Sequence, residues 1–438
     1  MSAMSVSPGV QGPIPRRVAV ASAIGTTIEW YDFYLYATAS ALVFSRLFFP
    51  SVDPATGTLA AFAAFAAGFG ARPLGAVVAG HLGDRVGRKS VLVGALLLMG
   101  GATTLIGVLP TYGSIGVLAP VLLVVLRTLQ GIAVGAEWGG AAILTVEHAP
   151  HGRRGWFGAF TQIGSPAGML LATGVFWLVR VSAGNEAFLA WAWRIPFLLS
   201  VVLVGVGLAV RLRLHDAPEF QRLRSRGEVA RLPVLDVLRA APGPVLLTTG
   251  LRLSQIGLYV LLTTYGLTYI ANNLGADSDA GLIAVVVSSA LSIPTTLLWG
   301  RLTDRFGRKR PYLFGAVGAV GALALFFLAV DTGSTVLIVA SVVLATSLFF
   351  DAMAAGQPAW FSELFPLHLR YSGVSLGYQV GSVIAGGLTP LIAAALVLLG
   401  DGRPWWVLAY YGGLAVLTIT AALLARETAF AELDRPRP

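Results

Sequence analysis

The chain has 438 residues, of which 56% are hydrophobic and 12% charged, and its mean hydropathy is +0.77. These values exclude a soluble multidomain protein and place the chain in a bilayer. The net charge of +9 and pI near 10.1 would suit a nucleic-acid binder, but the placement of the charges excludes that reading, and the absence of cysteine removes disulfide and thiolate chemistry.

Residues 1–17 carry Pro, Gly and Ser without periodicity and are expected to form a flexible tail. Apolar runs long enough to cross a ~30 Å hydrocarbon core then follow at 18–45, 57–80, 90–109, 115–146, 155–180 and 191–211. A hydrophilic stretch, "RLRLHDAPEFQRLRSRGEVARLP", separates them from six more at 244–271, 279–300, 311–330, 334–360, 373–399 and 404–426. The expected domains are a six-helix half over 18–211, a cytoplasmic linker over 212–243, a second six-helix half over 244–426 and a tail over 427–438. Because the runs are continuous and not alternating, they read as helices and not as barrel strands. The expected fold class is therefore an all-α membrane protein with twelve transmembrane helices in two pseudo-symmetric halves. Glu29 and Asp32 interrupt the first run, which does not suit a cleaved signal peptide. Of the Lys and Arg outside the spans, only Arg46, Arg180 and Arg403 fall opposite the rest, so the positive-inside rule puts both termini in the cytoplasm of a cell-membrane protein.

A charged phrase occurs twice, as "GHLGDRVGRK" from Gly80 and "GRLTDRFGRK" from Gly300, each between the second and third spans of its half. A second echo pairs "EHAPHGRRG" from Glu147 with "ELFPLHLRYSG" from Glu363. Two echoes at nearly one offset argue for duplication. Helix ends leave free donors and acceptors, so Asp84 can cap a neighbouring N-terminus while Arg85 and Arg88 reach carboxylates such as Glu147. Asp304, Arg305, Arg308 and Glu363 are the corresponding residues of the second half. The cluster is expected to latch the two halves on one face; a simple positive-inside loop is the plainer alternative.

Several chemistries are missing. Gly83 and Gly87 enclose three residues where a phosphate-binding loop needs four, and His81, His148, His151, His215 and His368 have no metal-ligand spacing. Without a nucleophile elbow or a haem or flavin signature, neither an enzyme nor a cofactor or metal is expected.

Ionisable residues at membrane depth cost at least ~2.5–3.5 kcal/mol each, so each needs a partner or a task. The chain keeps Glu29, Asp32, Arg72, Arg127, Glu137, Arg252 and Asp351 there. Helical spacing places Ser22, Glu29, Asp32, Tyr36 and Ser40 on one stripe expected to face a cavity, and Arg127, Gln130, Glu137, Trp138 and Thr145 within a third of the fourth helix. Asp32 and Arg127 are expected to pair across the cavity, either as a static cross-link or as a proton site, with Glu29 and Glu137 as further proton candidates. Arg252, Gln255, Tyr259 and Thr263 share a face of the seventh helix suited to a carboxylate; a latch between Arg252 and Asp351 is the alternative. Tyr36, Gln130, Trp138, Gln162, Tyr378 and Gln379 complete the expected substrate contacts, with Tyr265 and Gln357 as possible extra donors.

The ordered set "EWYDFYLY", "ARPLGA", "GDRVGRK", "RTLQG", "GAEWGGA", "RRG" and "ELFPLHLRYSG" resembles the metabolite:proton symporter branch of the major facilitator superfamily over nearly the whole chain. The resemblance implies the major facilitator fold and matches Asp32 and Arg127 to a proton-coupling pair. It matches Asp84, Arg85 and Arg88 to a gating loop and Glu147 to that loop's helix-four partner. The chain stops at "ETAFAELDRPRP", without the coiled-coil tail of the osmosensing proline and betaine carrier in that branch, and Arg301 and Thr303 replace His81 and Gly83, from which a looser second gate is expected.

The resulting expectation is a monomeric, proton-coupled importer of a small carboxylate metabolite, with protons, substrate and lipid as its partners and no nucleic acid. An efflux antiporter for amphiphilic compounds is the alternative, and a receptor or scaffold that transports nothing is the third class. The alternatives predict, respectively, weakly charged aromatic pocket walls and no concentrative uptake.

Overall fold

The computed structural model describes residues 14–50, 54–78, 88–135, 138–147, 149–150, 152–212, 233–275, 279–366 and 369–430. Hydrocarbon offers no partner to a free N–H or C=O, so each crossing segment must close its own backbone hydrogen bonds. Ten helices among the described residues are long and apolar enough to cross, and two more complete a bundle of twelve. In chain order these are α1 (Ile14–Ala39, continued by a π-helical segment, Ser40–Phe44, and by Ser45–Phe48), α2 (Ala55–Val78), α3 (Arg88–Val108) and α4 (Leu118–Gly135, resuming at Trp138–Glu147). The rest are α5 (Arg154–Ala183), α6 (Ala192–Ala209), α7 (Pro242–Leu274), α8 (Ala280–Phe306), α9 (Lys309–Asp331), α10 (Thr335–Leu364), α11 (Arg370–Leu399) and α12 (Trp405–Leu424). The described residues contain no strand.

Packing repeats every six helices. α1 lies on α5 as α7 lies on α11; α2 on α4 as α8 on α10; α3 on α6 as α9 on α12. The same symmetry joins the halves, pairing α2 with α11 and α5 with α8. Burial of the apolar window is 78% for α7 and 33% for α6, so α7 is a central wall. α6 meets lipid through Val201, Val202 and Val206. Further π-helical segments interrupt α7 (Leu261–Tyr265), α10 (Leu344–Phe350) and α11 (Ser382–Gly387), all helices that face the midline, where such bulges often mark function.

The eighth span reaches six residues beyond its apolar run. Helical hydrogen bonds do not require apolar side chains, so the first turns of the repeated phrase stay helical until Gly307, whose φ of 91° ends them in a left-handed conformation.

α2 and α4 touch backbone to backbone. A Cβ on Gly131 would stand 1.9 Å from the Gly68 carbonyl oxygen, and one on Gly135 2.0 Å from that of Arg72. Only hydrogen fits at such a crossing, which sets the depth of Arg72 and Arg127 relative to each other. Gly131→Leu is therefore expected to abolish the monodisperse peak of detergent-extracted protein in size-exclusion chromatography. Gly101→Ala, where no atom lies within 4 Å of the added carbon, should leave that peak intact.

Candidate functional site

Between the halves lies a small cavity walled by Trp30 and Tyr34 of α1, Gln162 of α5, Arg252 and Tyr259 of α7 and Tyr378 of α11. Its volume is about 10 Å³, the room of one water. Gln162 Nε2 donates to the Ala354 carbonyl across the two halves at 2.9 Å, and Tyr34 OH shares a hydrogen bond with Ser165 Oγ at 2.7 Å. Thr268 donates to the Ala41 carbonyl (3.1 Å) on one side of this level. The conformation is thus occluded around the cavity, and a larger cavity of about 430 Å³, lined by Arg46 and Arg180, lies among the far ends of α1, α5 and α7.

Arg252 dominates the wall. It is 2% exposed, and its guanidinium lies over the Tyr378 ring at 3.8 Å. Nε donates to Ser382 Oγ (3.2 Å), Nη1 to Gln357 Oε1 (3.0 Å) and to Gln255 Oε1, and Nη2 to Tyr378 OH (2.7 Å). Gln357 Nε2 in turn donates to Tyr312 OH at 2.9 Å, which fixes the amide so that its oxygen faces the arginine. The alternative latch is not formed: Asp351 Oδ2 shares a hydrogen bond with Thr295 Oγ1 at 2.6 Å, and the hydrogen-bond partners of Arg252 are all neutral.

The expected direct pair of Asp32 and Arg127 is also not formed. Asp32 Oδ1 accepts from Ser200 Oγ of α6 at 2.8 Å, and the Thr103 hydroxyl of α3 stands beside the same carboxylate. Arg127 lies over the rings of Phe33 (4.6 Å), Tyr36 (4.3 Å) and Phe65 (5.0 Å). Its Nη1 donates to Gln130 Oε1 (3.2 Å), and Gln130 Nε2 to Thr103 Oγ1 (2.7 Å). Positions 32 and 33 point about 100° apart on a helix, so α1 turns Asp32 toward α6 while its aromatic face covers the arginine. Two polar side chains bridge the carboxylate and the cation instead of a contact.

The cavity face of α1 is accordingly Trp30 and Tyr34, not the expected polar stripe of Glu29, Asp32, Tyr36 and Ser40. Gln255, Tyr259, Gln162 and Tyr378 line the cavity with Arg252. Tyr36 and Gln130 serve Arg127, and Gln379 is buried away from the cavity lining. Glu29 is buried near Arg72, whose guanidinium lies over Phe69 (4.0 Å) and Phe33 (4.6 Å). Glu137 and the Trp138 side chain lie outside the described residues, as do Asp84, Arg85 and the Arg88 side chain. Sequence reading missed Trp30, Tyr34 and Ser200. The aromatic repeat at i and i+4 in "EWYDFYLY" marks the first two, whereas nothing local marks Ser200.

At one face, charged residues from both halves interlock. Glu363, at the end of α10, takes Arg308 Nη2 (3.0 Å) and Nε (3.2 Å) from its own half and Arg154 Nη1 (3.6 Å) from the other. Glu147 takes Arg370 Nη1 at 3.3 Å. The second echo thus exchanges partners: the glutamate of each copy holds the arginine of the other. Asp304 accepts from the backbone N–H of Gly155 (2.7 Å) and Trp156 (2.8 Å), capping α5 of the opposite half, and from Arg308 Nη1 (2.9 Å). Arg305 departs from its expected place: it is exposed, with its guanidinium 5.4 Å from the Phe306 ring. Arg301 lies over Trp156 at 3.9 Å, and Arg308 reaches Thr303 Oγ1 at 3.4 Å, so the two replacements in this copy add contacts. Behind the cluster, Glu427 accepts from the N–H of Arg308 (2.9 Å) and Lys309 (3.0 Å), and Thr428 donates to Glu363 (2.6 Å). Burial pushes the Glu427 carboxyl up, but the backbone N–H groups of Arg308, Lys309, Ala429 and Thr428 outweigh it and hold the pKa below its ordinary value.

A family model described as "Sugar (and other) transporter" matches residues 18–243 and 233–435. The chain is 42% identical to the shikimate transporter of Escherichia coli (strain K12), covering 93% of this chain and 94% of that one. It is 39% identical to the inner membrane metabolite transport protein YhjE of the same organism, covering 94% of each. With a proline/betaine transporter of Salmonella typhimurium it shares 33% identity over 97% of this chain and 86% of that one. Among solved structures, the proton:xylose symporter XylE bound to 6-bromo-6-deoxy-D-glucose superposes with a TM-score of 0.71 at 17% identity, covering 94% and 96% of the two chains.

Breaking one partner of a buried ion pair costs ~3–5 kcal/mol, and ~1.4 kcal/mol already changes a population tenfold. Glu363→Gln should therefore open the charged face. An Ala354→Cys probe, on the cavity wall of a chain that has no native thiol, should react at least about tenfold faster with a membrane-impermeant maleimide applied to that face. An unchanged labelling rate would reduce the cluster to a topology signal.

Proposed function

The chain belongs to the sugar (and other) transporter family of the major facilitator superfamily, in its metabolite:proton symporter branch, and from that premise we propose that it is a proton-coupled importer of a small carboxylate metabolite. It is a multi-pass membrane protein of the transporter class and not an enzyme. Arg252 is the single observation that carries the substrate class: a guanidinium on the wall of the central cavity, hydrogen-bonded by neutral groups alone. A carboxylate matches its fork with two parallel charge-assisted bonds, stronger than the amide and phenol contacts it would replace. Shikimate, proline and betaine, after which the relatives are named, each carry such a group. The alternative antiporter would favour weakly charged aromatic walls; the aromatic side chains are there in Trp30, Tyr34, Tyr259 and Tyr378, but the Arg252 guanidinium among them does not suit a weakly charged wall.

Asp32 is assigned the proton. It is buried and accepts one hydroxyl bond, and no guanidinium among the described residues stands against it. Gaining or losing a proton there changes the charge at the end of the Thr103–Gln130 bridge to Arg127, within the N-terminal half. Glu29 and Glu137 are the other candidates for this role. The face with Asp304, Arg308, Glu147 and Glu363 is assigned to the cytoplasm with both termini, by the excess of Lys and Arg there. Asp84, Arg85 and Arg88 are assigned to the same gate through their sequence equivalence. Its ion pairs hold the outward-facing and occluded states and part when the carrier opens inward. One proton entering with a solute of no net charge gains ~2.3 kcal/mol across 100 mV, enough for about fiftyfold accumulation, whereas with a monoanionic solute no net charge moves and the pH difference alone drives uptake.

Uptake of labelled shikimate, dicarboxylates, citrate, proline, betaine and aromatic acids into proteoliposomes under an imposed pH gradient tests the reading. At least one of these carboxylates should be taken up concentratively, and xylose, added as a solute without a carboxylate, should not. Arg252→Lys should raise the KM about tenfold or more while insertion stays normal. A preferred substrate without negative charge would sink the assignment. Asp32→Asn should abolish pH-driven accumulation and retain exchange across the membrane. If it still concentrates substrate on a pH difference alone, another buried carboxyl carries the coupled proton, with Glu137 and Glu29 as the candidates from the sequence.

A further inference from the structure

One fully buried carboxyl has no part in the scheme above. Asp351 follows the π-helical segment of α10 directly and is 0% exposed. Among the described residues it forms no ion pair. Its surroundings are hydroxyls: Ser292, Thr295 and Thr296 approach from α8, and Ser347 belongs to the adjoining π segment. The titratable group facing it from α7 is the Tyr259 phenol. α9 packs Gly315 against the neighbouring Phe349, Ala352 and Met353 and presents no charge there.

Hydrogen counting constrains its state. Thr295 Oγ1 lies 2.9 Å from the Leu291 carbonyl and 2.6 Å from Asp351 Oδ2, yet carries a single hydrogen. Threonine in a helix commonly donates to the carbonyl one turn back, and the short second contact then needs a hydrogen supplied by the carboxyl. Asp351 Oδ1 and the Ser292 and Ser347 hydroxyl oxygens have no partner among the described residues. A buried carboxylate oxygen without a hydrogen-bond donor is costly when ionised, whereas a neutral carboxyl leaves it as a tolerable carbonyl. The side chain is also within reach of the transport path, because its neighbours Phe350 and Thr296 line the central cavity.

We infer that Asp351 is a second proton-binding carboxyl, serving the C-terminal half as Asp32 serves the N-terminal half, and this rests on the symport reading. Each half then holds a buried acid bonded to a hydroxyl of an adjacent helix, Ser200 for Asp32 and Thr295 for Asp351. Two protons accompanying a monocarboxylate would carry one net positive charge inward, making import sensitive to voltage as well as pH.

Infrared difference spectroscopy on the purified full-length protein in lipid nanodiscs, acidified from alkaline buffer with no ligand added, reads the two acids separately. Two carbonyl bands of buried protonated carboxyls should grow, one absent from Asp32→Asn and the other from Asp351→Asn. Thr295→Val keeps the carboxyl but removes its partner, so it should shift the Asp351 band to higher frequency; this variant carries the test should Asp351→Asn fail to assemble. If only the Asp32 band exists and neither Asp351→Asn nor Thr295→Val alters the spectrum, the inference is wrong and the symport reading survives. If neither acid titrates, both fall. A band suppressed by sodium chloride but not by choline chloride would make this a sodium site and overturn the proton assignment.

Discussion

Holding arginine inside hydrocarbon is the constraint around which this molecule is organised. Arg72, Arg127 and Arg252 are each at most 2% exposed. All three are covered by aromatic faces: Phe33 and Phe69 for Arg72, which also has Glu29 nearby, Phe33, Tyr36 and Phe65 for Arg127, and Tyr378 for Arg252. Such cation–π contacts strengthen when water is excluded. Arg252 is held as well by two amides, one hydroxyl and a phenol. Neither Arg127 nor Arg252 forms an ion pair among the described residues, and this separation of cation from acid has a consequence for transport. A guanidinium already neutralised by a carboxylate would have little affinity left for an anionic solute, and an acid already paired with a guanidinium would resist protonation. Keeping Arg252 apart from Asp351, and Arg127 apart from Asp32, leaves both kinds of group available.

Charges at the surface follow the opposite rule. There the carboxylates and guanidiniums meet directly, in Glu363 with Arg308 and Arg154 and in Glu147 with Arg370. Duplication explains the economy of the arrangement: one Glu-to-Arg spacing, present twice, yields two cross-half bonds because each copy's ends lie beside the other's. Asp304 adds a cap on α5, placing a negative charge at the positive end of a helix in the other half.

Much of this is legible in the sequence. The twelve runs, the symmetry of the two halves and the set of buried charges follow from hydropathy and repetition, because lipid imposes them on composition. Which neighbour a helical face meets does not follow. Periodicity places Asp32 on a polar stripe, yet the stripe's rotation about the α1 axis is set by packing on α5 and α6, and this turns Trp30 and Tyr34 into the cavity instead. Gln357 and Ser200 are obscure for a related reason: each matters through a contact on a helix far along the chain, with Arg252 and with Asp32. The π-helical segments are equally illegible, since a wider turn leaves no residue signature and only shifts the register of the helix beyond it. Arg305 shows the converse error, since equivalence within a motif is not equivalence of contact.

The charged face and the α2–α11 contact differ in kind, and this bears on how the carrier cycles. On one face the seal is ionic. The α2–α11 contact between the halves is apolar, with the Phe69 ring packed against Gly386 and Gly387, while at the far ends Arg180 meets Asp279 across the halves at 3.6 Å. Opening the apolar seal exposes hydrocarbon surface, at ~25 cal/mol per Å². Opening the ionic seal releases charges into water, where each recovers its hydration, so a pair that is costly to break by deleting one partner is cheap to separate intact. The ionic face can therefore be specific in register without being a high barrier to opening. What it cannot tolerate is a missing partner, because the remaining charge then stays buried and unpaired. An isosteric change at Glu363 and a physiological opening thus differ: the first removes the carboxylate that Arg154 and Arg308 share whenever the face closes, leaving Arg308 to Asp304, while the second never does.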